Sequence, residues 1–418
     1  MAAVKDFDDK LEILENNIFE GKLIMPDYNN LCLVNLHSLI GRFFGIENLS
    51  YSKMYIEDLP DFTNINKIVL FIIDGLGYNF LNNHLNKTSI LIRNVREWFL
   101  TPITSTFPST TSTALTSLFT AQTPIEHGII GYTMYLKSLG LIVDMLNFAP
   151  VYGWMSNESI VQELGKNKSL WVTKLIEAGV NACLLTRFTT VESGLSKVIY
   201  QGQKIITYVL ATDLIVNLKK LLESPSPLML IVYYPGYDTL SHLYGPFSEE
   251  AETDFIFFEN LIKTFLIEKL DKKVKDETLF ILTSDHGQSQ TESILFIKDM
   301  PRILEHLIIP PAGDSRATFL FTKQNKVDEV KGLLQKELLD FKTFYSDEML
   351  NKGFFGTPKT TEEKIILEER IGDLTLVATG QNAILYPYSE KDRERSKKGS
   401  HGGLSLDEML VPLFTFKL

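Results

Sequence analysis

Carboxylates and imidazoles recur in this 418-residue chain at spacings that suit a metal ion. DTLSH (238–242) sets Asp238 four residues before His242, shortly after the apolar run 228–232. SDHG (284–287) puts Asp285 beside His286, GSHGG (399–403) carries His401, and Asp74 sits in IIDGLG (72–77). Taken singly, each has a plain structural explanation. An Asp after a strand commonly caps the next helix, DHG suits a turn and GSHGG a loop tip. Together they supply three carboxylates and three imidazoles. That set suits two borderline divalent ions, each held by mixed nitrogen and oxygen donors with a position left open. Two such ions about 3.5–4 Å apart form a clamp for displacement at phosphorus. His37, His84 and His306 read instead as core or surface histidines.

A nucleophile and a seat for phosphoryl oxygens are still needed, and STFPSTTSTALTSLFTAQTPIEHGIIGY (105–132) offers both. Thr110 and Thr111 stand just before a stretch that reads as a helix. A helix N-terminus presents free N–H groups and the positive end of the helix dipole. An ordinary Ser/Thr N-cap would account for one of these threonines without any chemistry. The long hydroxyl-rich run and the His127–Gly128 pair after it favour the chemical reading. A threonine hydroxyl is a poor nucleophile until its alkoxide is stabilised, as a metal would do.

These residues must be brought together by the fold. KIVLFIIDGLG (67–77), LMLIVYYPGYD (228–238) and TLFILTSDHGQ (278–288) each run from an apolar stretch into a polar cluster. Unalternating apolar runs of this length suit strands buried on both faces of a parallel sheet. Helical patterns lie between them, at 169–179 and 252–273, for example. The expected fold is therefore α/β, a doubly wound, mostly parallel sheet flanked by helices, with ligands bound outside the carboxyl ends of the strands. Residues 1–60 read as a helical segment packed on the core and 61–418 as the catalytic domain. A small inserted cap is expected around 300–395, with a helix over 327–341. SEKDRERSKKGS (389–400) reads as a mobile, solvated loop.

Composition narrows the partners. Hydrophobic residues make up 44% and charged residues 22%, ordinary for a globular protein. A net charge of −11 argues against general binding to nucleic-acid backbones or anionic membranes. It leaves room for a small phosphorylated ligand held by metal. Cys32 and Cys183 lie in apolar runs outside any CxxC, and read as reduced, buried thiols. The sequence as given shows no secretory leader and no apolar run near the roughly 20 residues that span a bilayer. A cytoplasmic location is the expectation.

The order of these motifs resembles the alkaline phosphatase superfamily, and within it the nucleotide pyrophosphatase/type I phosphodiesterase family. The resemblance runs from about residue 67 to 405 and is thin over 300–395. DTLSHLYGP is similar to that family's Asp-x-x-x-His-x-Tyr-Gly-Pro, SDHGQ to its Ser-Asp-His-Gly, and TAQTPIEHGIIG to its Thr-Gly-x-x-Pro-x-x-His-Gly-Ile. The resemblance implies one metal on Asp238, His242 and His401, and a second on Asp74, Asp285, His286 and the nucleophilic threonine. In the family the nucleophile lies nine residues before the Thr of the Thr-Gly pair and three after a proline. Counting from Thr120 and Pro108 gives Thr111, with Thr110 and Thr106 as the alternatives. Vertebrate members place Phe directly after the nucleophile and Asn three residues on. Here those positions are Ser112 and Ala114, so the nucleobase sandwich is in question. Phosphoryl contacts then fall to backbone N–H groups or to the hydroxyls of Ser112 and Thr113, with Tyr132, Tyr135 and Tyr237 as candidate substrate walls.

The implied function is a two-metal phosphodiesterase or nucleotide pyrophosphatase that works through a phospho-threonine, on a nucleotide or nucleotide-like diester. Zinc is the expected metal because imidazoles contribute ligands, and manganese or iron would also suit the donors. Phosphomonoester or phosphonate hydrolysis on the same metals is an alternative, as is an idle binding or regulatory protein of this fold. The Cys/Ser-x-Pro/Ala-x-Arg signature of sulfatases is absent. Of the cofactor-independent phosphoglycerate mutases only the Asp-Gly-x-Gly is shared.

Overall fold

The computed structural model describes residues 12–20, 23–46, 53–56, 59–60, 62–87, 89–95, 97–165, 170–393 and 397–418. Residues 1–11, where a leader was sought, lie outside this set, as do Ser169 of the expected helix 169–179 and residues 394–396 of the expected loop 389–400.

Seven strands form the central sheet: β1 (Lys67–Ile73), β2 (Trp98–Thr104), β3 (Asn181–Arg187), β4 (Lys204–Tyr208), β5 (Leu228–Tyr234), β6 (Thr278–Thr283) and β7 (Leu410–Lys417). Their order across the sheet is β2-β7-β6-β1-β5-β3-β4. Every pairing is parallel except the two made by β7, which runs against both β6 and β2. All residues of β1 and β6 are buried, as both-face coverage requires of their unbroken Ile, Val, Leu and Phe runs. The three motif-bearing strands lie flush. Lys67 pairs with both Leu228 and Thr278, and Ile73 is level with Tyr234. Their carboxyl ends therefore open at one edge, from three distant parts of the chain.

Three helices matter for that edge: α1 (Thr111–Thr120), α2 (Gly236–Tyr244) and α3 (Glu249–Ile262). DTLSH lies inside α2 and not in a loop. Asp238 and His242, four apart, thus share one helical face.

A second, antiparallel sheet joins Phe341–Tyr345, Leu374–Ala378, Ala317–Leu320 and Ala312–Gly313 to the strands Thr133–Leu136, Leu141–Asp144 and Ala149–Pro150. The region 300–395 thus shares its sheet with a hairpin from far upstream. It also has a hydrophobic cluster of its own, including Ile297, Leu320, Val330, Leu334 and Leu374. The expected helix at 327–341 ends at Glu337, and Phe341 opens a strand. On either side of 394–396, the run 389–400 makes defined contacts. Arg393 bonds the Asp299 carboxylate at 2.8 and 3.1 Å, Lys398 N–H donates to the His242 carbonyl at 2.8 Å, and Gly399–Ser400 pairs with Ser289–Gln290. Its charged composition concealed these backbone partners. Cys32 and Cys183 are free and buried. Among the described residues no helix is long and apolar enough to cross a membrane.

One buried ion pair ties the second sheet to the C-terminal segment. Arg316 Nε and Nη2 donate to the two Glu408 carboxylate oxygens at 2.8 and 3.0 Å, both side chains being fully buried. Arg316 Nη1 donates to the carbonyls of Gly380 and Asn382, and Glu408 also accepts from the Gly403 N–H at 2.7 Å. With each nitrogen of Arg316 and both oxygens of Glu408 engaged, removing one partner strands a buried charge. Glu408→Ala is expected to lower the unfolding free energy by about 3–5 kcal/mol in chemical denaturation. A loss under about 1 kcal/mol would mean that the pair behaves like an exposed one and does not join the two parts.

Candidate active site

Each candidate ligand leaves the common edge by a short route. Asp74 directly follows β1, and Asp285 and His286 follow β6 after Ser284. Asp238 and His242 project from α2, one turn after β5. Gly75 adopts φ +76°, and a Cβ there would lie 3.0 Å from Asp238 Oδ1, so only glycine lets the two strand ends approach this closely. The Asp285 carboxylate is held through Oδ1, which accepts from the N–H groups of Gly75 at 3.2 Å and His286 at 3.0 Å. His401 arrives from the segment tied by Glu408.

Two clusters result, Asp74–Asp285–His286 and Asp238–His242–His401, in each of which the ligand atoms lie within 4.8 Å of one another. They are neighbours: the rings of His286 and His401 stack with centroids 3.8 Å apart. Three features fit these residues to cations. Asp74 Oδ1 and Asp285 Oδ2 are buried without a hydrogen-bond partner, while Tyr233 O–H occupies Asp74 Oδ2. Each imidazole turns Nδ1 to a backbone carbonyl, of Gly287 for His286 (3.0 Å), Gly399 for His242 (2.7 Å) and Ser109 for His401 (3.2 Å). A carbonyl can only accept, so Nδ1 carries the proton and the Nε2 lone pair faces the cluster. Finally, the charges are out of balance. Burial, then the Asp285 and Asp238 charges, pushes Asp74 well above the usual carboxylate range. Burial raises Asp285, against the pull of His286. Burial also lowers His401, helped by His286 and His242, and lowers His242 despite Asp238. Buried carboxylates beside neutral imidazoles need positive charge from elsewhere.

Thr111 opens α1, and its Oγ1 lies 3.1 Å from His286 Nε2. Thr110 is the N-cap residue, yet its side chain makes no cap hydrogen bond, and among the described residues no side chain accepts from the leading N–H groups of α1. Thr106 is fully buried. Ser112 is turned away from the site, its Oγ donating to the Gly131 carbonyl at 2.7 Å, and Thr113 Oγ1 accepts from the Gly131 N–H at 3.0 Å. Their hydroxyls hold the following loop. Ala114 is in the core. His127 likewise serves structure, bonding Ser117 Oγ and the Ile129 N–H. Tyr132 lines a cavity of about 290 Å³ together with Thr111, Asp238, His242 and His401. Tyr135 packs on Phe321, and Tyr237 is buried against Phe80 with its hydroxyl on the Pro246 carbonyl.

Asp314, Tyr386, Tyr388 and Lys397 also line the cavity, and sequence reasoning missed all four. Asp314, Tyr386 and Tyr388 come from the region of thin resemblance, and Lys397 lies just beyond it. Apart from a GD turn at 313–314 flanked by apolar residues, no local signal marks them.

The family model of type I phosphodiesterase / nucleotide pyrophosphatase matches residues 68–404. No curated protein matches the chain. Among solved structures, murine ectonucleotide pyrophosphatase / phosphodiesterase 5 superposes with a TM-score of 0.58 at 18% identity, covering 83% of this chain and 87% of that one. Another structure of the murine protein is of an inactive variant in complex with AMP. Phosphonoacetate hydrolase from Sinorhizobium meliloti 1021, in complex with phosphonoformate, gives a TM-score of 0.60 at 17% identity, over 85% and 90% of the two chains. At these identities the likeness is one of fold.

The charge imbalance has a testable sign. A carboxyl whose folded-state pKa is raised costs stability above its unfolded value, and the cost grows as pH rises. Without ions, Asp285→Asn should therefore stabilise: Oδ1 keeps its N–H donors, while the new amide replaces the unpartnered Oδ2, 3.5 Å from His286 Nε2. In chelator near neutral pH its Tm is expected about 2 °C or more above wild type. Added Zn2+ should raise the wild-type Tm and the variant's far less. A variant less stable than wild type in chelator would contradict the repulsion.

Proposed function

The chain belongs to the type I phosphodiesterase / nucleotide pyrophosphatase family, and from that premise we propose that it is a metal-dependent phosphodiesterase whose nucleophile is Thr111. The observation that carries this reading is the Thr111 hydroxyl, 3.1 Å from His286 Nε2 at the uncapped start of α1, beside two clusters of metal-ligating side chains. Asp74, Asp285 and His286, with Thr111, would hold one divalent ion, and Asp238, His242 and His401 the other; zinc suits these donors best. Bound there, such ions supply Lewis-acid charge that favours an ionised hydroxyl and offsets negative charge building up on oxygen.

The chain's own groups account for the rest. Thr111 Oγ1 loses its proton and bonds phosphorus in line, as the ester bond on the opposite side breaks and its oxygen takes up a proton. The leading N–H groups of α1 are aimed where the phosphoryl oxygens gather charge and need no rearrangement to receive it. Water then cleaves the phospho-threonine from the vacated side, returning the hydroxyl with net retention at phosphorus. The Nδ1–carbonyl bonds keep all three imidazoles facing the site throughout. Tyr132 forms part of the substrate wall.

Bis(p-nitrophenyl) phosphate, p-nitrophenyl phosphate and phosphonoacetate, each with and without chelator, separate the diesterase from the monoesterase and phosphonate alternatives. The diester is expected to turn over fastest, and only with metal. Thr111→Ala should lose on the order of 10³-fold or more in kcat with its bound metal nearly unchanged. Full activity in that variant would refute the assignment, chelator-insensitive turnover would refute the metal dependence, and absent turnover of all three esters would favour a binding protein.

A further inference from the structure

Resting on the reading of Asp238, His242 and His401 as ligands of one ion, we propose that Gln288 is a positioning residue that turns the Asp238 carboxylate toward that ion. Gln288 follows His286 by two residues and is buried. Its Nε2 donates to Asp238 Oδ1 and, at 3.3 Å, to the Asp238 carbonyl. Both atoms can only accept, so it is the NH2 end of the amide that faces Asp238. The oxygen it grips is the one turned to the imidazoles: His242 Nε2 lies 3.5 Å from Oδ1, and His401 Nε2 4.0 Å. A carboxylate oxygen has a second lone pair, so the amide can hold Oδ1 and leave it open to a cation. At the other end of the amide, Oε1 is buried without a partner. An orphaned acceptor is costly, and an apolar side chain would avoid it, so the site keeps the amide for its NH2.

The three carboxylates are not held alike. Asp285 accepts from two backbone N–H groups and Asp74 from the Tyr233 hydroxyl, both at strand ends in the core. Asp238 stands on a helix with its side chain 16% exposed, and among the described residues Gln288 is the only hydrogen-bond donor to its carboxylate. Without that donor the carboxylate is free to take another rotamer and turn to water. The amide is itself fixed by the ribbon that pairs Ser289–Gln290 with Gly399–Ser400. Gly399 makes room for it, since a Cβ there would collide with Oε1. The Gly399 carbonyl accepts from His242 Nδ1, and His401 follows Ser400. One ribbon therefore orients all three ligands of this cluster, and it continues directly from Asp285 and His286 of the other.

The test is titration of the metal-free protein with Co2+, followed by its d–d bands and by competition with a chromophoric chelator. Wild type should take up two ions per chain. Gln288→Met keeps the length of the side chain without its donor. One site should then weaken about tenfold or more, with altered d–d bands, while the other stays within about twofold. In the Asp285→Asn background, where the Asp238 cluster is the intact one, Gln288→Met should weaken the remaining site by the same factor. Because the orphaned Oε1 leaves with the amide, the Tm in chelator should not fall. Gln288→Leu, which also lacks the donor, should behave alike. Unchanged affinity at both sites, both sites weakened equally with a lowered Tm in chelator, failure of both variants to fold, or no Co2+ uptake by wild type would overturn the proposal. Selective weakening of one site in a protein without diester turnover would support it while refuting the proposed phosphodiesterase.

Discussion

The flush register of β1, β5 and β6 is the constraint on which the rest of the site depends. Because Lys67 is level with both Leu228 and Thr278, three strands of similar length end together, and Asp74, Asp238 and Asp285 must meet. A slip of one residue would turn buried side chains to the wrong face, so the hydrophobic core fixes the register and, with it, the spacing of the carboxylates. Their convergence is electrostatically unfavourable in an apolar setting, as the upward displacement of Asp74 and Asp285 records. The core thus holds together a charge cluster that cations would relieve, which is the usual bargain at a metal site.

The sheet edge supplies only part of the site. His401 and the cavity wall come from elements held in place by the buried Arg316–Glu408 pair. Arg316 follows Asp314 by two residues, and Glu408 also holds the Gly403 N–H, two residues after His401. One ion pair therefore positions both a candidate metal ligand and part of the cavity wall. A pair with this geometry contributes little net stability over a well-packed apolar substitute. Its value lies in fixing one arrangement of the second sheet against the C-terminal segment.

Much of this was legible in the sequence, for definite reasons. The runs KIVLFII, LMLIVYY and TLFILT could be read as both-face-buried strands, because they are short, unalternating and rich in β-branched and aromatic residues. The six candidate ligands stood out because each follows such a run or sits in a compact glycine-containing motif. Three features needed the tertiary structure. DTLSH proved helical because α2 starts immediately after β5 at Gly236, with no intervening loop. In the charged run 389–400, Arg393 and residues 398–400 are held by one Arg–Asp pair and by backbone bonds, neither of which composition reveals. Ser112 belongs to a hydroxyl-rich helix start, yet its rotamer serves the Gly131 carbonyl, a choice that depends on a loop nineteen residues away.

By itself, the sequence singled out the candidates for metal binding and nucleophilic attack, and placed them at strand ends of an α/β sheet. Short-range patterns suffice for that, since burial of apolar runs and the opening of a helix are local matters. Tertiary structure decided which donor atoms face one another, which tautomer each histidine keeps, and that the second sheet, built from 133–150 as well as 312–378, lends Asp314, while Tyr386, Tyr388 and Lys397 join the cavity from the adjoining segment. Those outcomes rest on contacts between segments roughly a hundred residues apart, such as the His401 ring on His286 and Arg316 on Glu408, and no local pattern encodes them.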